Sequence, residues 1–98
     1  MQFSVRVSNY QKNSSLNICD AELLGKKIIQ GKLNMHISES YYGEKLVEKE
    51  EAKSLLKNSS IINMVGKDTI SLSVELGIGS ETGIKTISGI PFLIIFRT

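Results

Sequence analysis

Residues 60–78 read Ser60-Ile61-Ile62-Asn63-Met64-Val65-Gly66-Lys67-Asp68-Thr69-Ile70-Ser71-Leu72-Ser73-Val74-Glu75-Leu76-Gly77-Ile78, and the fold turns on how this stretch divides. Ser60–Val65 is short, apolar and β-branched, which suits a buried strand closed by Gly66. Beyond Gly66 two periods compete. Ile70, Leu72, Val74 and Leu76 alternate as in a strand, yet Ile70 with Val74 and Leu72 with Leu76 stand four apart, as on one face of a helix. Gly77-Ile78 has the form of a glycine helix stop with its apolar follower. We read 67–76 as a helix, with a strand as the alternative.

On the N-terminal side, Ala52, Leu55 and Leu56 recur at helical spacing and predict a helix over 47–57, with Glu50 and Lys53 three apart on its solvated side. Earlier still, Phe3, Val5 and Val7 share one face of a strand and Ser4, Arg6 and Ser8 the other. The polar run 9–15 and the alternating Leu16–Cys19 suggest a β-hairpin with a longish loop. Asp20 is placed to cap a short helix ending at Gly25. Leu33, Met35 and Ile37 alternate as a third strand after the Gln30-Gly31-Lys32 turn, and Ser38–Glu44 reads as a loop. On the C-terminal side, Gly77–Gly83 is a loop, Ile84–Ile87 a short strand, and Ile90–Phe96 a strand that admits Pro91 only at its start or on an edge. That apolar last strand must be central in the sheet or covered by a partner, since a bare edge of this kind invites pairing.

The chain of 98 residues, 41% hydrophobic, is long enough to bury a core and shows no linker, so a single domain over 1–98 is expected. Cys19 is the only cysteine, which excludes an internal disulfide and fits a reducing cytoplasm. The N-terminus alternates instead of forming a secretory signal, and the longest apolar run is far shorter than the ~20 residues of a membrane-spanning helix, so no membrane contact is expected. A net charge of +2 permits contact with nucleic acid without announcing it.

Two groups of residues offer chemistry. Lys26, Lys27 and Lys32 could neutralise phosphates while Tyr41 and Tyr42 stack on bases. The structural reading is as simple: lysines keep a loop soluble, and one tyrosine of an adjacent pair packs inward. Cys19, Asp20 and Glu22, with Ser38 and Glu39, form an alternative ligand site in which helix amides could activate the thiol. A nucleophile wants a base, however, and sequence cannot bring His36, the only histidine, beside Cys19, so a core thiol next to a capping Asp20 is the simpler account. Glu22, His36 and Glu39 have no recognised ligand spacing, so neither a metal nor a cofactor is implied. Gly77–Gly83 lacks the lysine and the strand–glycine–helix context of a phosphate loop and is read as a turn.

The blocks Cys19–Lys26, Ser38–Gly43, Glu50-Glu51-Ala52 and Asn63–Gly66 occur in the order found in the archaeal family called domain of unknown function 424, which the chain resembles over about residues 3–91. The resemblance implies a two-layer α+β fold and favours the helix after Gly66. It brings no established activity. Family members carry a histidine after the proline near the C-terminus, where this chain has Phe92 and an apolar tail, so a mechanism built on that histidine would lack its residue.

The expectation is therefore an α+β domain with a mixed or antiparallel sheet of five to six strands and two main helices. Its expected role is that of a non-enzymatic module binding RNA or a ribonucleoprotein, with the ribosome as one candidate. The alternatives are a small-molecule site or enzyme built on Cys19, Asp20 and Glu22, and a protein-interaction module using Ile90–Phe96.

Overall fold

The computed structural model describes residues 1–11 and 13–97. Strands β1 (Gln2–Tyr10) and β2 (Asn13–Asp20) form a long antiparallel hairpin. Hairpin β3 (Lys27–Gln30) and β4 (Leu33–His36) follows, then the single-turn helix α1 (Glu39–Tyr42), β5 (Lys45–Glu48) and helix α2 (Lys49–Lys57). The chain ends with β6 (Ile61–Val65), helix α3 (Lys67–Glu75), β7 (Lys85–Ile87) and β8 (Ile90–Phe96). Six strands make one mixed sheet in the order β5-β1-β2-β6-β8-β7, in which only β2 and β6 run parallel; β3 and β4 pair by themselves.

Register explains the layering, because residues facing each other across adjacent strands point to the same side of a sheet. Val5, Ile18, Met64 and Leu93 lie in one cross-strand row, and Val7, Leu16, Ile62 and Ile95 in the next. Together with Phe3 they meet Ala52 and Leu56 of α2 and Ile70 and Leu72 of α3 in the main core, which defines the helical face. The opposite face holds a smaller core in which Cys19 and Val65 meet Leu23, Ile28 and Ile37, with Tyr42 and Phe92 packed around them. Hairpin β3–β4 and α1 thus cover only part of that second face. The α+β domain, its six-stranded mixed sheet and its two main helices are as the sequence led us to expect.

Local differences have physical causes. Pairing of β1 with β2 continues to Tyr10 and Asn13, so the expected longish loop shrinks to residues 11 and 12, of which Lys12 lies outside the described residues. Gln11 takes a positive φ of 47° to make the turn. The expected helix after Asp20 is a single 3₁₀ turn, Ala21–Leu23, to which the Asp20 side chain gives no bond. The expected loop at 38–44 contains one turn of helix, α1, and residues 45–48 form an edge strand before α2. Lys27–Gln30, to which the sequence reading assigned no element, is a strand in which Ile28 faces Met35 over the smaller core. The helix at 67–75 confirms the four-residue period and the glycine stop over the alternation.

Candidate nucleic-acid interface

The uncovered part of the second face is built from three adjacent strands. Arg6 of β1 faces Asn17 of β2, and Asn17 faces Asn63 of β6, giving a polar row across the sheet that continues to Ile94 of β8. Asn17 also donates from Nδ2 to the Tyr41 carbonyl oxygen at 3.0 Å, and Ser4 donates from Oγ to the Tyr42 carbonyl at 2.5 Å. These two bonds seat α1 on the sheet. Tyr41 itself is 65% exposed.

Three lysines stand on the β3–β4 hairpin and the residue before it. The Gly25 N–H donates to the Ile37 carbonyl at 2.7 Å and the Ile37 N–H to the Lys26 carbonyl at 2.9 Å, so Lys26 lies against the chain that enters α1. Lys27 opposes His36 at the same end of the hairpin. Lys32 sits in the turn at the other end, about 10 Å away along the strands. All three are exposed. Charge is distributed to match: residues 1–38 contain five Lys and Arg against two carboxylates, one of them the buried Asp20, whereas the rest of the chain carries seven against eight.

Of the residues selected from sequence for RNA contact, Lys26 and Lys27 lie at the end of the hairpin that joins the chain entering α1, Lys32 lies at its other end, Tyr41 is exposed on α1, and Tyr42 turns inward. Tyr42 packs on the smaller core, and burial, more than the neighbouring Cys19 and Tyr41, pushes its hydroxyl up to about 12. It is no stacking platform. Arg6, Asn17 and Asn63 escaped the sequence reading. The available signal was the outward set of β1 and the single polar residue inside the apolar run Ile61–Val65.

The alternative ligand site does not assemble as expected. Cys19 is fully buried, and burial first, then the charges of Asp20 and Glu22, push its thiol up to about 12, so it is no nucleophile at neutral pH. Ser38 shares a hydroxyl contact of 3.1 Å with Ser40, and Glu39 is exposed on α1. Asp20 turns to the helical face and caps α3. Its carboxylate accepts from Asp68 N–H at 3.1 Å, Thr69 N–H at 2.8 Å and Thr69 Oγ1 at 2.7 Å. Burial raises the Asp20 pKa more than these hydrogen bonds lower it. Oxygens of Asp20, Glu22 and Asp68 lie within 4.8 Å of one another. Asp20 and Glu22 border a cleft of about 270 Å³ also lined by Leu23, Lys67 and Pro91, but the Asp20 oxygens in it are engaged by the helix.

The blocks shared with the family meet at this cap. Gly66 has φ 107°, and a Cβ there would fall within 2.6 Å of both Asp20 carboxylate oxygens, so Cys19–Lys26 and Asn63–Gly66 constrain each other. The family model described as "Protein of unknown function (DUF424)" matches residues 8–98. The chain belongs to the DUF424 family. Among solved structures, the crystal structure of an uncharacterized conserved protein from Methanopyrus kandleri is similar, with a TM-score of 0.81 and 24% identity over 100% of this chain and 95% of that one. At that identity the likeness carries the DUF424 fold alone. No curated protein matches the sequence. Among the described residues no helix is long and apolar enough to cross a membrane.

Proposed function

We propose that this chain is a non-enzymatic module that binds single-stranded RNA, free or within a ribonucleoprotein, on the open part of its second sheet face. The observation that carries the reading is the contiguity created by Asn17, which faces Arg6 and Asn63 across the sheet and holds the backbone of the exposed Tyr41. Such a surface has the parts that single-strand recognition requires: a ring for stacking, amides for base edges, and cations for phosphates. Arg6 supplies the cation at one end of the row, and Lys26 and Lys27 supply it beside α1. The buried thiol of Cys19 argues against the enzyme alternative, and a single cysteine suits a reducing cytoplasm.

The test is fluorescence anisotropy of a labelled mixed-sequence RNA of about ten nucleotides at low salt. Wild type should bind, Tyr41→Ala should weaken binding by roughly 5- to 100-fold, as expected for one lost base stack, and Lys26→Glu with Lys27→Glu should weaken it further. No binding by wild type above that of a neutral control protein, or equal binding by all variants, would remove the proposal.

A further inference from the structure

The direction of the backbone groups along β8 can be read from two hydrogen bonds. The Pro91 carbonyl accepts from Gly66 N–H at 2.9 Å, and the Arg97 N–H donates to the Ser60 carbonyl at 2.7 Å, so Pro91 and Arg97 both turn towards β6. Groups alternate along a strand, so Leu93 and Ile95 turn towards β6 as well, whereas Phe92, Ile94 and Phe96 turn outward. Outside Phe92 stands β7, whose first residue, Lys85, faces it. Outside Ile94 and Phe96 no strand follows, and their N–H and C=O groups have no backbone partner among the described residues. A cleft of about 250 Å³ lined by Gly83, Lys85, Phe92, Leu93 and Ile94 opens along this vacant half of the edge.

The same two residues are among the most exposed large apolar side chains, Ile94 at 56% and Phe96 at 76%. No charge, proline or bulge protects the run Leu93–Phe96, whereas the other edge of the sheet, β5, is short and bears Lys45 and Glu48. We propose that the free half of β8 pairs with β8 of a second copy of this chain, antiparallel about a two-fold axis at Ile95. Each Ile94 then exchanges both backbone hydrogen bonds with Phe96 of the other copy, giving four bonds in a closed, self-complementary pair. An uncharged edge puts no like charges opposite each other, and the Ile94 and Phe96 side chains of the two copies gather on the open sheet face. Two side chains and a short ladder per copy bury less than the ~1,000 Å² of a stable interface, so the dimer forms and dissociates with concentration. This pairing rests on backbone geometry and stands whether or not the face binds RNA.

Sedimentation equilibrium of the full chain from about 10 μM to about 1 mM tests it, with unfolding curves recorded for every variant. Wild type should rise from the 10.8 kDa monomer towards twice that mass. Ile94→Lys alone and Phe96→Glu alone should each weaken association by about tenfold, whereas the double variant should restore it, because the register sets the introduced ammonium of one copy opposite the introduced carboxylate of the other. Ile94→Pro should remain monomeric while keeping the β6 ladder, since the lost N–H points outward. A wild type that stays monomeric throughout, species that grow beyond dimer, or a double variant no better than either single one overturns the proposal.

Discussion

Asp20 stands at the end of β2 and acts at the start of α3, where its carboxylate accepts from two backbone N–H groups and from the Thr69 hydroxyl. Asp20→Ala leaves those donors without an acceptor in a buried place, and we expect it to cost about 2–3 kcal/mol in denaturant unfolding. The pH dependence of this group runs opposite to that of a salt-bridged carboxylate. Burial raises its native pKa above the ordinary value, so the stability linked to its proton is fully present below that value and is lost as pH rises through the native one. The stability of wild type relative to Asp20→Asn, which cannot titrate, should therefore shrink as pH rises above the ordinary carboxylate value of about 4; a gap that widens contradicts this. Gly66→Ala meets both a positive φ and the carboxylate, and we expect a loss of more than about 2 kcal/mol. At this scale the sequence disclosed that Asp20 was a cap but not of which helix, because the partner lies 48 residues away and local spacing cannot report it.

At the scale of elements, legibility followed length and amphipathicity. Helix α2 and strand β1 each bury one clear stripe, and their patterns were readable. Helix α3 is buried on more than one side, including Thr69 and Ser73, which is why its period resembled a strand and the glycine stop had to decide. Strands β3 and β5 were missed because each has four residues, of which one is buried. Helix α1 separates the two tyrosines: Tyr41 faces solvent and Tyr42 the smaller core. Tyr42→Ala should consequently lower stability by about 3 kcal/mol, a large-to-small loss from a packed site, without changing the RNA affinity of the protein that remains folded. Tyr41→Ala should do the reverse, with an unfolding midpoint close to wild type and weaker RNA binding.

For the whole molecule, one sheet separates two surfaces of different character. The helical face closes the main core under α2 and α3, whereas the opposite face carries Arg6, the polar row and the hairpin lysines. The lysines were visible in the sequence as a candidate surface, but the row was not, because Arg6, Asn17 and Asn63 become neighbours only through strand register. If Arg6, Lys26 and Lys27 each neutralise one phosphate, the logarithm of affinity should fall with the logarithm of salt with a slope of about −2, a loss of roughly 20-fold between about 50 and 200 mM. Binding without salt dependence would separate RNA from these cations. The most direct measurement is a titration of the isotope-labelled chain with single-stranded RNA, followed by NMR chemical shifts. The account predicts that the largest shifts fall on Arg6, Asn17, Tyr41 and Asn63, with Lys26 and Lys27 beside them; shifts confined to α2 and α3, or none at all, would contradict it.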